Sequence, residues 1–182
     1  MSSGNPDPPP RFEGEPRYFA DAMLGSLARW LRAAGLDVLY EADIEDAELV
    51  ERAAAEGRTI LTRDRRLVER RLARDHLLIA SDDVDEQLRQ VLDMLDLERL
   101  ALRPFGRCLE CNERLAAMSR AEASSRVPAY VARTCSEFRY CAGCDRIFWR
   151  ATHVAGMEAR LKDLGVERQT DGGAPGRRDG VD

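Results

Sequence analysis

The stretch RYFADAMLGSLARWLRAAGLDVLY, Arg17 to Tyr40, holds a complete strand–helix–strand unit and sets the reading of the whole chain. Arg17 to Ala20 is short, aromatic and apolar, and ends at Asp21. Leu24, Leu27, Ala28 and Leu31 then recur at helical spacing, and Gly35 stands where a helix-ending glycine belongs. Leu36 to Tyr40 is a second strand. The alternation continues outward. Asp46 to Glu56 reads as a helix with Leu49, Val50 and Ala53 on one face, stopped by Gly57. Arg58 to Thr62 is a third strand, Arg65 to Ala73 a short basic helix, and His76 to Ala80 a fourth strand. Asp83 to Leu95 is a helix with Leu88, Val91, Leu92 and Leu95 on its buried stripe. This order predicts an α/β fold with a parallel sheet covered by helices on both faces. Its strands are short and mainly apolar rather than alternating, as strands buried on both sides are. In such folds the working crevice lies at the carboxyl ends of the strands.

Composition bounds the rest. A chain of 182 residues makes one domain, or one plus a small module. No apolar run approaches the ~20 residues of a membrane span, and Met1 to Pro10 lacks the basic flank and apolar core of a signal peptide. A cytoplasmic location with reduced thiols is the expectation. The formal net charge of −5 hides local contrast. Acidic residues gather between Asp43 and Glu56 and between Asp82 and Asp96, whereas Arg63 to Arg74 and Arg99 to Arg150 are net basic. Charge acts over about 10 Å in salt, so these basic surfaces can still meet a polyanion. Residues 1–16 and 165–182 lack the apolar content to offset ordering entropy and are expected to be disordered tails. Between them, 17–100 is the expected α/β core and 101–164 a second module.

Carboxylates follow every predicted strand: Asp21, then Asp43 and Asp46, then Asp64, then Asp82 and Asp83. Parallel strands bring these ends to one edge. Carboxylates that converge repel one another unless a cation neutralises them, and an open oxygen-lined cleft suits Mg²⁺ or Mn²⁺. The competing reading is that each Asp merely caps the next helix, which is strongest for Asp46 and Asp83. Arg65, Arg66 and Arg70 follow Asp64 directly and could track a phosphate backbone, as could Arg63; their competing role is a solvated helix face. Arg29 and Arg32, on the first helix, carry the same pair of readings.

Cys108 and Cys111 form one C-x-x-C pair, and Cys141 and Cys144 another, 29 residues further on. Four thiolates close a tetrahedral zinc site that leaves no position for water and is therefore structural. The long spacing is expected to hold a hairpin insertion. Cys135 lies outside both pairs and is read as a spare. Phe138, Tyr140, Phe148 and Trp149 surround the second pair among arginines, where they serve as module core or as stacking surfaces for bases. His153 follows closely, with a structural hydrogen bond or a phosphate as its alternatives.

These motifs together resemble a known family. FADAMLGSLARWLRAAGLDVLY, with DAELVERAAAEGRTILTRDRRL after it, is similar to the PIN-like ribonuclease family first named from the C-terminal region of mut-seven exonucleases. Asp21, Met23 to Gly25 and Leu27 to Arg32 match its D-x-M-L-G-x-L-A-R-W-L-R run. Asp46 and Ala53, then Thr62 and Asp64, match the spacing of a helix Asp and a strand-end T-x-D in PIN domains. Many PIN domains carry a further acid between the first two; Asp43 is the nearest substitute here. The family's zinc ribbon is matched by RCLECN and YCAGCDRIFW. The resemblance implies a PIN-like parallel sheet flanked by helices, followed by a small zinc ribbon. It implies metal-dependent cleavage of RNA phosphodiesters, with Asp21, Asp46 and Asp64 as catalytic residues and Mg²⁺ or Mn²⁺ ligands, joined by Asp43. The alternative from another class is a non-catalytic RNA-binding zinc-ribbon protein.

Overall fold

The structure, a computed structural model, describes residues 15–95, 97, 100, 102–150 and 152–167; the side chains of Thr152 and His153 fall outside that description. The first half runs β1 (Arg17–Ala20), a 3₁₀ turn (Ala22–Leu24), α1 (Gly25–Ala34), β2 (Asp37–Tyr40), α2 (Asp46–Glu56), β3 (Thr59–Thr62), α3 (Arg65–Val68), β4 (His76–Leu78) and α4 (Val84–Asp93). The four strands pair in parallel in the order β2-β1-β3-β4. The chain leaves β1 to one side for β2 and crosses back to its other side for β3. The gap beyond the ends of β1 and β3 is therefore the topological switch point of the sheet.

The pleat of β1 sorts the core into two layers, because successive side chains point to opposite faces. Tyr18 and Ala20 join Leu27, Leu31, Leu88 and Val91 of α1 and α4; Phe19 joins Leu49, Val50, Ala53 and Leu67 of α2 and α3. Each fully buried Leu, Ile or Phe contributes about 1.5–3 kcal/mol. Helix α1 ends at Gly35, whose φ of 100° is left-handed and whose face is pressed on Arg103; an added Cβ would meet the Arg103 carbonyl oxygen at 2.7 Å. Only glycine satisfies both conditions.

The basic helix expected over 65–73 stops at Val68. Leu67 and Ala73 both belong to the α2-side core, and tight turns from Leu67 to Arg70 and from Arg70 to Ala73 bring Ala73 inward before β4 begins. The fourth strand is likewise shorter, His76–Leu78.

The second half holds β5 (Ala116–Met118), α5 (Arg120–Ser124), α6 (Ala129–Thr134), β6 (Phe138–Cys141), β7 (Arg146–Trp149) and α7 (Thr152–Asp163). Strands β5, β6 and β7 form an antiparallel sheet in that order. The long spacing between the cysteine pairs is filled by β5 and the two helices α5 and α6, not by a simple hairpin. Helix α7 then returns to the first half. Leu161 and Val166 lie in the same core layer as α1 and α4, and Arg160 pairs with Asp85 while its guanidinium stacks 4.4 Å over Trp30. The small sheet is thus an excursion from the α/β core. The expected tails lie outside the described residues, apart from their inner ends. There Glu15 pairs with Arg114, and Val166 is buried.

Candidate active site and cysteine cluster

Asp21 stands immediately after β1 at the switch point and is only 7% exposed. It precedes the 3₁₀ turn but makes no side-chain cap to it. Its carboxylate instead accepts a hydrogen bond from the Thr62 hydroxyl at 2.6 Å, at the end of β3. Thr62 is fully buried, and its oxygen accepts in turn from the Asp64 backbone N–H at 2.9 Å. One hydroxyl therefore ties the end of β1 to the turn after β3. Asp64 does cap its helix, accepting from the Arg66 backbone N–H at 2.8 Å through one oxygen. A carboxylate has two oxygens and about four acceptor directions, so this bond leaves capacity at Asp64.

Asp46 is not a cap either. It is the first residue of α2, after Glu45, and its side chain pairs with Arg70 at 3.2 Å. Asp43 is exposed in the preceding loop. Asp83 is what the bland reading made it, the cap of α4, accepting from the backbone N–H groups of Asp85 and Glu86. The donor set at this edge is hard oxygen and suits Mg²⁺ or Mn²⁺ chemically. Among the described residues, however, the four cysteines are the one group of three or more ligand side chains gathered within 4.8 Å. Asp46 pairs with Arg70 and is not gathered with Asp21 and Asp64. Arg65 and Arg66 are exposed beside this edge, and Arg63 is half-buried.

Arg29 and Arg32, candidates for phosphate contact on α1, both reach toward the first cysteine pair instead. Arg32 is 3% exposed, and its guanidinium donates to the carbonyls of Val38, Leu109 and Glu110. It is a buried bolt between α1, β2 and the first cysteine pair, with no surface left for a nucleic acid. Burial pulls its pKa below the ordinary arginine value, against the opposing pull of the Cys108, Cys111, Glu110 and Asp37 charges. Arg29 pairs with Glu110 at 2.9 Å.

Four cysteines on two separate elements meet there. Cys108 Sγ lies 3.6 Å from Cys144 Sγ, and Cys111 Sγ 3.3 Å from Cys141 Sγ, with all four sulfurs within 4.8 Å of one another. Zn–S bonds of about 2.3 Å in a tetrahedron put sulfurs about 3.8 Å apart, so the cluster could hold one zinc ion. The thiols do not ionise readily together. Burial raises the pKa of Cys111; at Cys144 burial and then the neighbouring thiols push it up to about 12. At Cys141 burial is outweighed by the Cys144 backbone N–H and the Cys111 thiol, and the value falls. A divalent cation is what lets all four become thiolates. Cys135 lies outside the cluster, as expected.

The cluster is seated at the opposite edge of the parallel sheet from Asp21. Asn112, next to Cys111, accepts from the Val38 backbone N–H at 3.0 Å and donates to Asp37 at 2.8 Å. Asp37 opens β2 and also binds Arg58 at 2.7 Å and Arg107 at 3.4 Å. Burial disfavours its charge, but Arg58, Asn112 and Arg107 together hold its carboxyl below the usual range. This junction was missed at the sequence level. Its one local signal was an aspartate inside the otherwise apolar LDVLY strand. No helix of the described residues is long and apolar enough to cross a membrane.

Searches of curated proteins and of solved structures each returned no match. The family model for the Mut7-C RNAse domain matches residues 16–161, which takes in the parallel sheet, both cysteine pairs and most of α7. The chain belongs to the Mut7-C RNAse domain family.

Proposed function

We propose that the chain is a divalent-metal-dependent ribonuclease whose chemistry is carried by Asp21, Asp46 and Asp64, with a structural zinc on Cys108, Cys111, Cys141 and Cys144. One observation supports this above the others: Asp21 is a buried carboxylate at the switch point with no cap to make and no ion pair among the described residues. A desolvated charge of that kind is costly unless a cation meets it. When bound, Mg²⁺ or Mn²⁺ supplies Lewis acidity at the scissile phosphate and a low-pKa water. Asp21 and Asp64 would hold that ion, with Thr62 fixing the Asp21 rotamer through its hydroxyl. Asp43 would serve as a further outer ligand. Arg70 keeps Asp46 in a surface pair and is placed to exchange it for a substrate phosphate. Arg63, Arg65 and Arg66 extend the basic rim. The substrate is RNA, and the site of action is the cytoplasm.

The Asp46–Arg70 pair and the separation of the carboxylates favour a second reading, in which the chain binds RNA without cleaving it. Cleavage assays decide between them. With Mn²⁺, wild-type protein should cut a mixed RNA pool, and Asp21→Asn and Asp64→Asn should abolish cutting while RNA affinity measured without divalent metal is kept. Full cleavage by folded, contaminant-free Asp21→Asn protein overturns the proposed mechanism. No cleavage of any RNA by the wild type establishes the binding reading instead.

A further inference from the structure

The register of the small sheet divides its aromatics between two faces. Phe138 lies opposite Trp149 and Met118, and Tyr140 opposite Ile147 and Ala116. This row is the module's own core side: Phe138 is buried, and the Arg126 guanidinium from the α5–α6 connection stacks 5.2 Å over Tyr140. The other face carries Ala117, Arg139 and Phe148 as one cross-strand row, and beside it Arg146 opposite Cys141, which is buried in the cysteine cluster. Phe148 is half-buried there, with Arg139 opposite it on β6 and Arg146 two positions earlier on β7.

The arginines on that face differ from their neighbours in pairing. Arg126 is committed to Asp145 and Arg150 to Glu158. Arg139 has no ion pair among the described residues. Arg146 reaches only Glu110, at 3.6 Å, and shares it with Arg29 of α1. Two cations thus meet one carboxylate, and Arg29 and Arg146 keep 55% and 59% of their side-chain surface exposed. The shared Glu110 makes one continuous surface from α1 across the first cysteine pair to Phe148. The excess of positive charge continues through the module, where residues 102–150 hold nine arginines against five carboxylates.

We infer that the sheet face of Phe148, Arg139 and Arg146, extended by Arg29, binds a single-stranded segment of RNA outside the cleavage site. Phe148 offers a ring to one unpaired base, and sequence-independent stacking of this sort needs only a π-face. Arg139 and Arg146 take the flanking phosphates, and Arg29, joined to Arg146 through Glu110, extends the backbone path. A duplex cannot use the face in this way, because its bases are already stacked. The inference rests on RNA being the substrate and does not require the carboxylate edge to be catalytic.

The test uses the zinc-loaded full chain, without added Mg²⁺ or Mn²⁺, and fluorescein-labelled 12-nucleotide oligouridine and oligoadenosine RNA. Phe148→Leu should weaken binding about tenfold while Phe148→Tyr holds it near wild type. Arg139→Gln and Arg146→Gln should each reduce the slope of log affinity against log salt by about 0.7, the loss of one single-strand phosphate contact. Unlabelled RNA duplex of equal length should compete poorly. Wild-type affinity and salt slope in both arginine variants overturn the inference, and duplex competing as well as single strand overturns the stacking. If Phe148→Leu does not fold, the two arginine variants decide alone. Normal cleavage with unaltered arginine-variant binding removes this face only; a wild type that binds, loses affinity in these variants and never cleaves removes the nuclease reading only.

Discussion

Asp21 and Asp37 sit on adjacent strands of one sheet, at opposite edges, and their surroundings differ in kind. Asp37 is gripped by Arg58, Arg107 and Asn112, with Arg17 close by at 3.9 Å. Asp21 has a single neutral hydroxyl. Both carboxylates are substantially removed from water, yet only one has its charge balanced by the protein. The comparison separates a carboxylate that the fold needs from one that the fold tolerates. A β1 of four residues spans about 10 Å, so the two regimes are set apart by no more than a strand length.

The largest effect should come from the cysteine cluster. Structural zinc is worth on the order of 10–16 kcal/mol in small zinc peptides, more than the whole stability of a typical domain. Strong chelation should therefore unfold the small sheet. Because Arg107 and Asn112 brace Asp37 from either side of the first cysteine pair, the α/β core should lose thermal stability with it, followed by far-UV circular dichroism. An unchanged core melting temperature after chelation would break the link between the two regions.

Next in size is Asp37→Ala. It takes one of two carboxylates from each of Arg58 and Arg107, 6% and 9% exposed, leaving them Glu56 and Glu15, so the cost should lie at or below the about 3–5 kcal/mol of breaking a buried pair from one side. Asp21→Asn should cost nothing measurable in the absence of metal, since it removes an unbalanced charge and keeps the shape. Urea denaturation of both variants reads the contrast directly.

The pH dependence sharpens it further. The folded-state pKa of Asp37 is depressed, so its contribution is present above the unfolded carboxyl value and is lost as pH falls through the folded one. Wild-type stability should decline below about pH 4, and Asp37→Asn should show a shallower decline over that range. The smallest effect belongs to Asp83→Ala, where loss of the α4 cap should cost about 1 kcal/mol and leave RNA cleavage at the wild-type rate.

Much of this was legible from the chain alone, for identifiable reasons. The four parallel strands announce themselves as short apolar runs, and Gly35 and Gly57 mark two helix ends, both at positive φ. Both C-x-x-C pairs fall into one cluster because that motif is local in sequence. Long-range partners are what remained hidden. Arg32 reads as the polar face of an amphipathic helix, but two of its three acceptors lie 77 and 78 residues away. The same holds for Asp37, whose Asn112 partner lies 75 residues on. Helix α3 was overextended because Arg and Leu favour helix, whereas burial of Ala73 turns the chain early. Asp21 and Asp64 follow β1 and β3 in the structure, but pattern carries no information on which aspartate caps, which pairs and which stays unbalanced.

The return of α7 sets an order of events during synthesis. Leu161 and Val166 fill the layer between α1 and α4, and the ribosome makes them after both cysteine pairs. The strands and helices of the first hundred residues therefore emerge with one side of their core open, and it closes only once the cysteine-bearing excursion has been completed. Cutting the chain after α4 would leave that side exposed and the Asp37 junction without Arg107 and Asn112, so a truncated core should be prone to aggregation rather than a free-standing enzyme.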